Sequence, residues 1–122
     1  MKLYQQLFLL SFLALSISAC KEKPKEKVSQ PIIYKGMYSF GPEEKSFKGC
    51  NETTTFWVVD SSNKLELQYS QLLVSEQSNV PVYIEVTGEK VPSVKADNIA
   101  FDSTLVVYKV IKISKEIPAS CN

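Results

Sequence analysis

Three thiols, Cys20, Cys50 and Cys121, are the side chains in this chain best suited to covalent chemistry, and there is no histidine to help them. Without histidine, both the commonest general base and the commonest metal ligand are missing. The many serines therefore have no Ser-His-Asp arrangement to join. Cys50 and Cys121 admit three readings: a structural disulfide, a redox-active pair, or a soft metal site in which Met37 adds a thioether to two thiolates. The structural disulfide is the expected one. It would close a loop of roughly 70 residues and contribute about 4 kcal/mol on the chain-entropy view. No metal site is expected.

Aromatic residues make up 11% of the chain, which makes them the next candidates for recognition. Tyr34, Tyr38, Trp57, Tyr83 and Tyr108 fall on stretches that read as strands, and Tyr38, Trp57 and Tyr83 form the candidate ligand surface. The competing reading makes most of these rings barrel core or cross-strand pairs. The carboxylates Glu43, Glu44, Glu85 and Glu89 read as solvated turn and strand positions rather than acid/base partners. Fourteen basic and 13 acidic residues leave a net charge of +1, without the basic excess that a phosphate backbone calls for, so nucleic acid is not an expected ligand.

The N-terminus explains Cys20. Lys2 is followed by the apolar run from Leu7 to Leu15, too short for a membrane-spanning helix but of signal-peptide length. The run ends in Ile17-Ser18-Ala19-Cys20, which resembles the lipobox of bacterial lipoproteins. That resemblance implies cleavage before Cys20, diacylglycerol on its thiol and a further acyl chain, palmitate for example, on its amine. Several chains on one residue anchor stably where one chain binds marginally. Residues 1–19 then form the signal peptide. Residues 20–30 form the lipidated Cys and a charged tether, Lys21-Glu22-Lys23-Pro24-Lys25-Glu26-Lys27, which has no apolar side chain to pack. Lys21, in place of the Asp that resembles an inner-membrane retention signal, favours the outer membrane. The tether is chiefly a spacer, although its lysines could touch anionic lipid.

The domain at 31–122 must position everything else. Ile32 to Phe40 alternates and reads as a strand, with Gly36 marking a bulge or sharp bend. Gly41-Pro42-Glu43-Glu44 is a turn, Lys45 to Cys50 a short strand, and Thr53 to Val59 a β-branched and aromatic strand. The period then changes. Leu65, Tyr69, Leu72 and Leu73 share one helical face, with Asn63 as cap and Glu66 completing a capping box. Val80 to Thr87 alternates again, with Val82, Ile84 and Val86 on one side. Gly88 to Ala100 reads mostly as loop, and Thr104 to Ile113 as a last strand that is apolar on both faces at Leu105-Val106-Val107. The order β-β-β-α-β-β predicts an all-β fold with one helix: the five-stranded Greek-key barrel of the OB-fold type.

Tyr34-Lys35-Gly36-Met37-Tyr38, Phe47 with Cys50, Phe56-Trp57-Val58-Val59, the run from Pro81 to Gly88, Leu105-Val106-Val107 with Lys109, and Cys121 together resemble the OB-fold domain of the NlpE/CutF copper-homeostasis lipoproteins. The resemblance spans nearly everything from Ile32 to Cys121. It implies a non-catalytic outer-membrane lipoprotein that binds or senses, in envelope stress response or copper tolerance. Many members carry a separate N-terminal barrel with a Cys-x-x-Cys motif, which has no counterpart in this sequence. The expected protein is therefore not an enzyme and carries no cofactor beyond the lipid on Cys20. Its partners would be the membrane, through the anchor, and an envelope protein or surface ligand. A periplasmic carrier or buffer for a small molecule or copper is the alternative.

Overall fold

The computed structural model describes residues 30–74, 76–93 and 100–121. The expected signal peptide, Cys20 and all of the expected tether but Gln30 lie outside those residues. Five strands close into one barrel: β1 (Ile32–Phe40), β2 (Lys45–Gly49), β3 (Thr55–Asp60), β4 (Val82–Pro92) and β5 (Ser103–Ser114). The helix α1 (Leu65–Leu72) joins β3 to β4, and a short 3-10 turn, Ala119–Cys121, follows β5. Around the barrel the order is β1-β2-β3-β5-β4, antiparallel throughout except for the parallel pair β3 and β5. This is the expected fold, a small closed barrel of OB type with one helix.

The core follows from strand alternation. Tyr38, Phe47, Phe56, Val58, Val82, Ile84, Val86, Leu105 and Val107 are all buried. Helix α1 turns Leu65, Tyr69 and Leu73 into the same cluster, packing against the Tyr38 to Phe40 end of β1. The 3.6-residue spacing thus faces the barrel as the pattern demands.

Several local expectations are corrected. Gly36 is not at a bulge, because its pairing with Gly49 on one side and Ile84 on the other is continuous. It serves close approach instead: a Cβ there would lie 2.2 Å from the Lys48 carbonyl oxygen. The bulges lie on β5. Glu85 pairs with Lys112 and Val86 with Val110, leaving Ile111 without a partner. Thr87 pairs with Lys109 and Gly88 with Val107, leaving Tyr108 without one. Each insertion reverses the parity of the strand, so that Leu105, Val107, Val110 and Ile113 all pack with the core while Lys109 and Lys112 stay exposed.

The stretch read as loop after Gly88 is strand as far as Pro92, because pairing with Ser103 to Val107 supplies its hydrogen bonds whatever its side-chain pattern. β3 begins at Thr55 rather than Thr53, since only Thr55, Phe56 and Trp57 pair with β2. Asn63 does not cap α1. It takes a left-handed turn, φ 56°, and the cap position, Lys64, makes no side-chain bond. Asp60, at the end of β3, supplies the missing acceptor. It takes the Glu66 N–H at 3.1 Å, and the Ser62 N–H and hydroxyl at 3.1 and 2.5 Å. Glu66 pairs with Lys45 instead of reaching back to the cap.

Candidate functional site

The rings of Tyr38, Trp57 and Tyr83 do not form one surface, which corrects the expected ligand face. Tyr38 is fully buried, points inward with Val82, and meets the Tyr69 ring edge-on at 5.5 Å. Its hydroxyl finds no hydrogen-bond partner. Burial first, then Glu66 and Asp60, push its pKa far above the ordinary tyrosine value. Tyr83 has the opposite parity. It pairs with Met37 and Ser114 on the outer face of the barrel, but only 5% of it is exposed, and its hydroxyl donates to Glu85 at 2.8 Å. Trp57 lies elsewhere, beside Thr104, half-buried with its ring tilted against Phe101. The alternation of β1 carried the signal for Tyr38, since it shares a face with Tyr34 and Phe40.

Cys50 and Cys121 are joined as a disulfide. Cys50 leaves the end of β2 with its N–H donated to the Lys35 carbonyl, and Cys121 closes the last turn through the Pro118 carbonyl. Ser114 lies opposite Tyr83 on β4, whereas Cys121 is tied to the end of β2. The tail between them therefore runs from the β4 side of the barrel to the end of β2. The link fastens that tail to a barrel which is already closed by backbone pairing.

Clefts open on the surface of the described residues, two of them near the features above. One, about 370 Å³, lies where α1 ends, lined by Phe40, Pro42, Tyr69, Leu73 and Val74 with Glu76, Gln77 and Ser78 at its polar side. Val74 is 81% exposed beside it. Glu76 is held by Lys115, and the Tyr69 hydroxyl donates to the Val80 carbonyl at 2.6 Å. This cleft was not read from the sequence, although an apolar Val74 just past a helical face was its one visible sign. The second, about 360 Å³, lies beside the disulfide and is lined by Met37, Lys48, Asn51, Glu52, Thr53 and Cys121. Lys90 pairs with Glu52 at its rim and stacks over the Phe56 ring at 4.2 Å.

The clustered carboxylates do not converge. Glu43 and Glu44 are exposed in their turn, Glu85 accepts from Tyr83, and Glu89 accepts from Tyr108 at 3.1 Å. Among the described residues no three His, Cys, Asp or Glu side chains are grouped so as to hold a metal ion. No helix among them is long and apolar enough to cross a membrane.

No curated protein and no solved structure matches this chain. The family model of the NlpE C-terminal OB domain matches residues 28–122, the whole of the barrel together with its disulfide, and the chain belongs to that family.

Proposed function

We propose that this protein is a non-catalytic, lipid-anchored envelope protein whose barrel binds or senses a partner, in the setting of envelope stress or copper tolerance. The observation that carries the reading is the disulfide between Cys50 and Cys121 at the end of a closed barrel. Disulfides persist in oxidising compartments, so it suits an exported chain. It also makes the fastening of the tail depend on oxidative folding. Failed acylation or transport at Cys20 would be a second input, because the barrel would then meet a different partner. The family, which is associated with the envelope, supports the same setting. The apolar cleft at the end of α1 is a surface shaped to take an apolar side chain of a partner.

An envelope-stress reporter tests this. The Cys50→Ser/Cys121→Ser variant and a Cys20→Ala variant should each change its output. If both behave as wild type, the sensing role fails. Intact mass with and without reductant checks acylation and the disulfide in one measurement.

A second reading, a carrier or buffer for a small molecule or copper, is favoured by one contact: Met37 and Cys121 line the same cleft. On reduction, two thiolates and a thioether would stand near one another as soft ligands. Equilibrium dialysis of the oxidised and reduced protein with Cu(I) decides. Absence of stoichiometric binding in both states removes this reading.

A further inference from the structure

The two bulges on β5 create an exposed surface that neither the core nor the disulfide explains. Tyr108 is 53% exposed and Ile111 46%, and both are the inserted residues. Their neighbours Lys109 and Lys112 lie on the outer side of the barrel, as shown by the pairing of Lys109 with Thr87 and of Lys112 with Glu85. β1 continues the same face: Ile33, 53% exposed, pairs with Thr87, and Lys35 pairs with Glu85. Two isoleucines, a tyrosine and three lysines thus share one outer face of β1, β4 and β5. Among the described residues none of these three lysines is in an ion pair. The carboxylates on the face are Glu85 and Glu89, each accepting a tyrosine hydroxyl. Lys112 also lies over the Tyr83 ring, 5.9 Å from its centroid.

We propose that this face rests on an anionic bilayer surface, with Ile33, Tyr108 and Ile111 entering the headgroup region and Lys35, Lys109 and Lys112 meeting lipid phosphates. The proposal rests on the reading of Cys20 as a lipid anchor. Three observations support this occupant. Tyrosine with aliphatic side chains, ringed by lysines whose stems also bury, is the chemistry of an interfacial contact. The chain enters the barrel at Ile32, next to Ile33, so the face adjoins the tether. From Cys20 to Gln30 the tether spans about 35 Å at most, enough for the face to reach the surface that holds the lipid. The tether itself carries Lys21, Lys23, Lys25 and Lys27 against Glu22 and Glu26, so its net charge is positive as well. The disulfide cleft, Trp57 and the cleft at α1 involve other residues and stay available to a partner.

The test uses the acylated mature chain in vesicles whose lipids carry brominated acyl chains, a short-range quencher of tryptophan. In the Trp57→Phe/Tyr108→Trp variant the only tryptophan reports this face; in the unsubstituted chain Trp57 reports the side next to Thr104. Vesicles containing phosphatidylglycerol should quench the tryptophan at 108 more strongly than Trp57, and salt should weaken the effect. The mature chain, residues 20–122, carrying Cys20→Ala and so no acyl group, should still partition onto phosphatidylglycerol vesicles in preference to phosphatidylcholine. Lys109→Gln/Lys112→Gln should lower that partition by about fivefold for each lysine lost. Ile111→Ser should also weaken it, and thermal melting verifies that each variant is folded. Equal quenching at 108 and 57, or no preference for anionic lipid, overturns the proposal. So does a vesicle-free dimer that Ile111→Ser dissociates, which would assign the face to a second copy. A chain that binds anionic vesicles but proves unacylated when isolated refutes the anchor and leaves the face standing. An acylated chain whose Tyr108 side stays unquenched does the reverse.

Discussion

Tyr38 and Tyr69 meet edge-on in the core, 5.5 Å between ring centroids, yet only the Tyr69 hydroxyl is satisfied, donating to the Val80 carbonyl. The Tyr38 hydroxyl is buried beside it without an acceptor. An unpaired buried hydroxyl costs about 1–3 kcal/mol, whereas removing one partner of a made bond loses the bond and strands the other group. Tyr38→Phe should therefore stabilise the domain by about 1 kcal/mol, and Tyr69→Phe should destabilise it by about as much. Urea unfolding of the two variants gives both signs.

The same hydroxyl sets a pH dependence. Burial, with Glu66 and Asp60, raises the Tyr38 pKa in the folded state above its ordinary value of 10.0. Above pH 10 the unfolded chain gives up a proton that the folded chain keeps. Stability from this group is thus full below the unfolded pKa and declines as pH rises above it. The slope is about 1.4 kcal/mol per pH unit for one tyrosine. Unfolding free energy measured from neutral pH to above 10 should fall at the alkaline end, and less steeply in Tyr38→Phe.

At the start of α1 the acceptor is Asp60 and not Asn63. Asp60→Ala removes the bonds to Glu66 and Ser62 and should cost about 1–2 kcal/mol. Asn63 holds φ 56°, so Asn63→Ala should cost about 1 kcal/mol through the backbone while Asn63→Gly costs almost nothing. Were Asn63 a side-chain cap, both substitutions would remove the bond. Thermal melts of the three variants separate the cases.

Gly36→Ala and Gly88→Ala should be among the most damaging changes in the barrel. The added methyl would lie 2.2 Å from the carbonyl oxygen of Lys48 in the first case and of Val106 in the second. Backbone atoms of a paired strand cannot yield without loss of the ladder. A loss of about 3 kcal/mol or more is expected, read as a drop in urea midpoint.

Reducing the disulfide should remove about 4 kcal/mol, a large share of the roughly 5–15 kcal/mol that a domain of this kind holds. Cys50→Ser/Cys121→Ser should have a much lower urea midpoint than the oxidised protein. Added reductant should shift the wild type and leave the double variant unchanged.

Element order and the barrel itself were legible because alternation and helical period are local. Ile32 to Phe40, the face formed by Leu65, Tyr69 and Leu73, and Val82, Ile84 and Val86 all announce themselves within a few residues. The family resemblance was legible for the same reason: it rests on types and spacings along the chain.

What the tertiary structure decided is whatever depends on a neighbouring strand. Whether Tyr83 is covered depends on the strands beside it, where Met37 and Ser114 pair with it and Lys112 lies over its ring, and whether Gly88 to Pro92 is strand depends on β5 lying alongside. The bulges at Tyr108 and Ile111 show the division most clearly. Strict alternation from Leu105 would carry Lys109 inward, and the interval from Val107 to Val110 to Ile113 marks the break. The sequence contains that irregular interval, but which residues are pushed out is settled by register against β4. Register is a relation between two strands, and one strand read alone does not contain it.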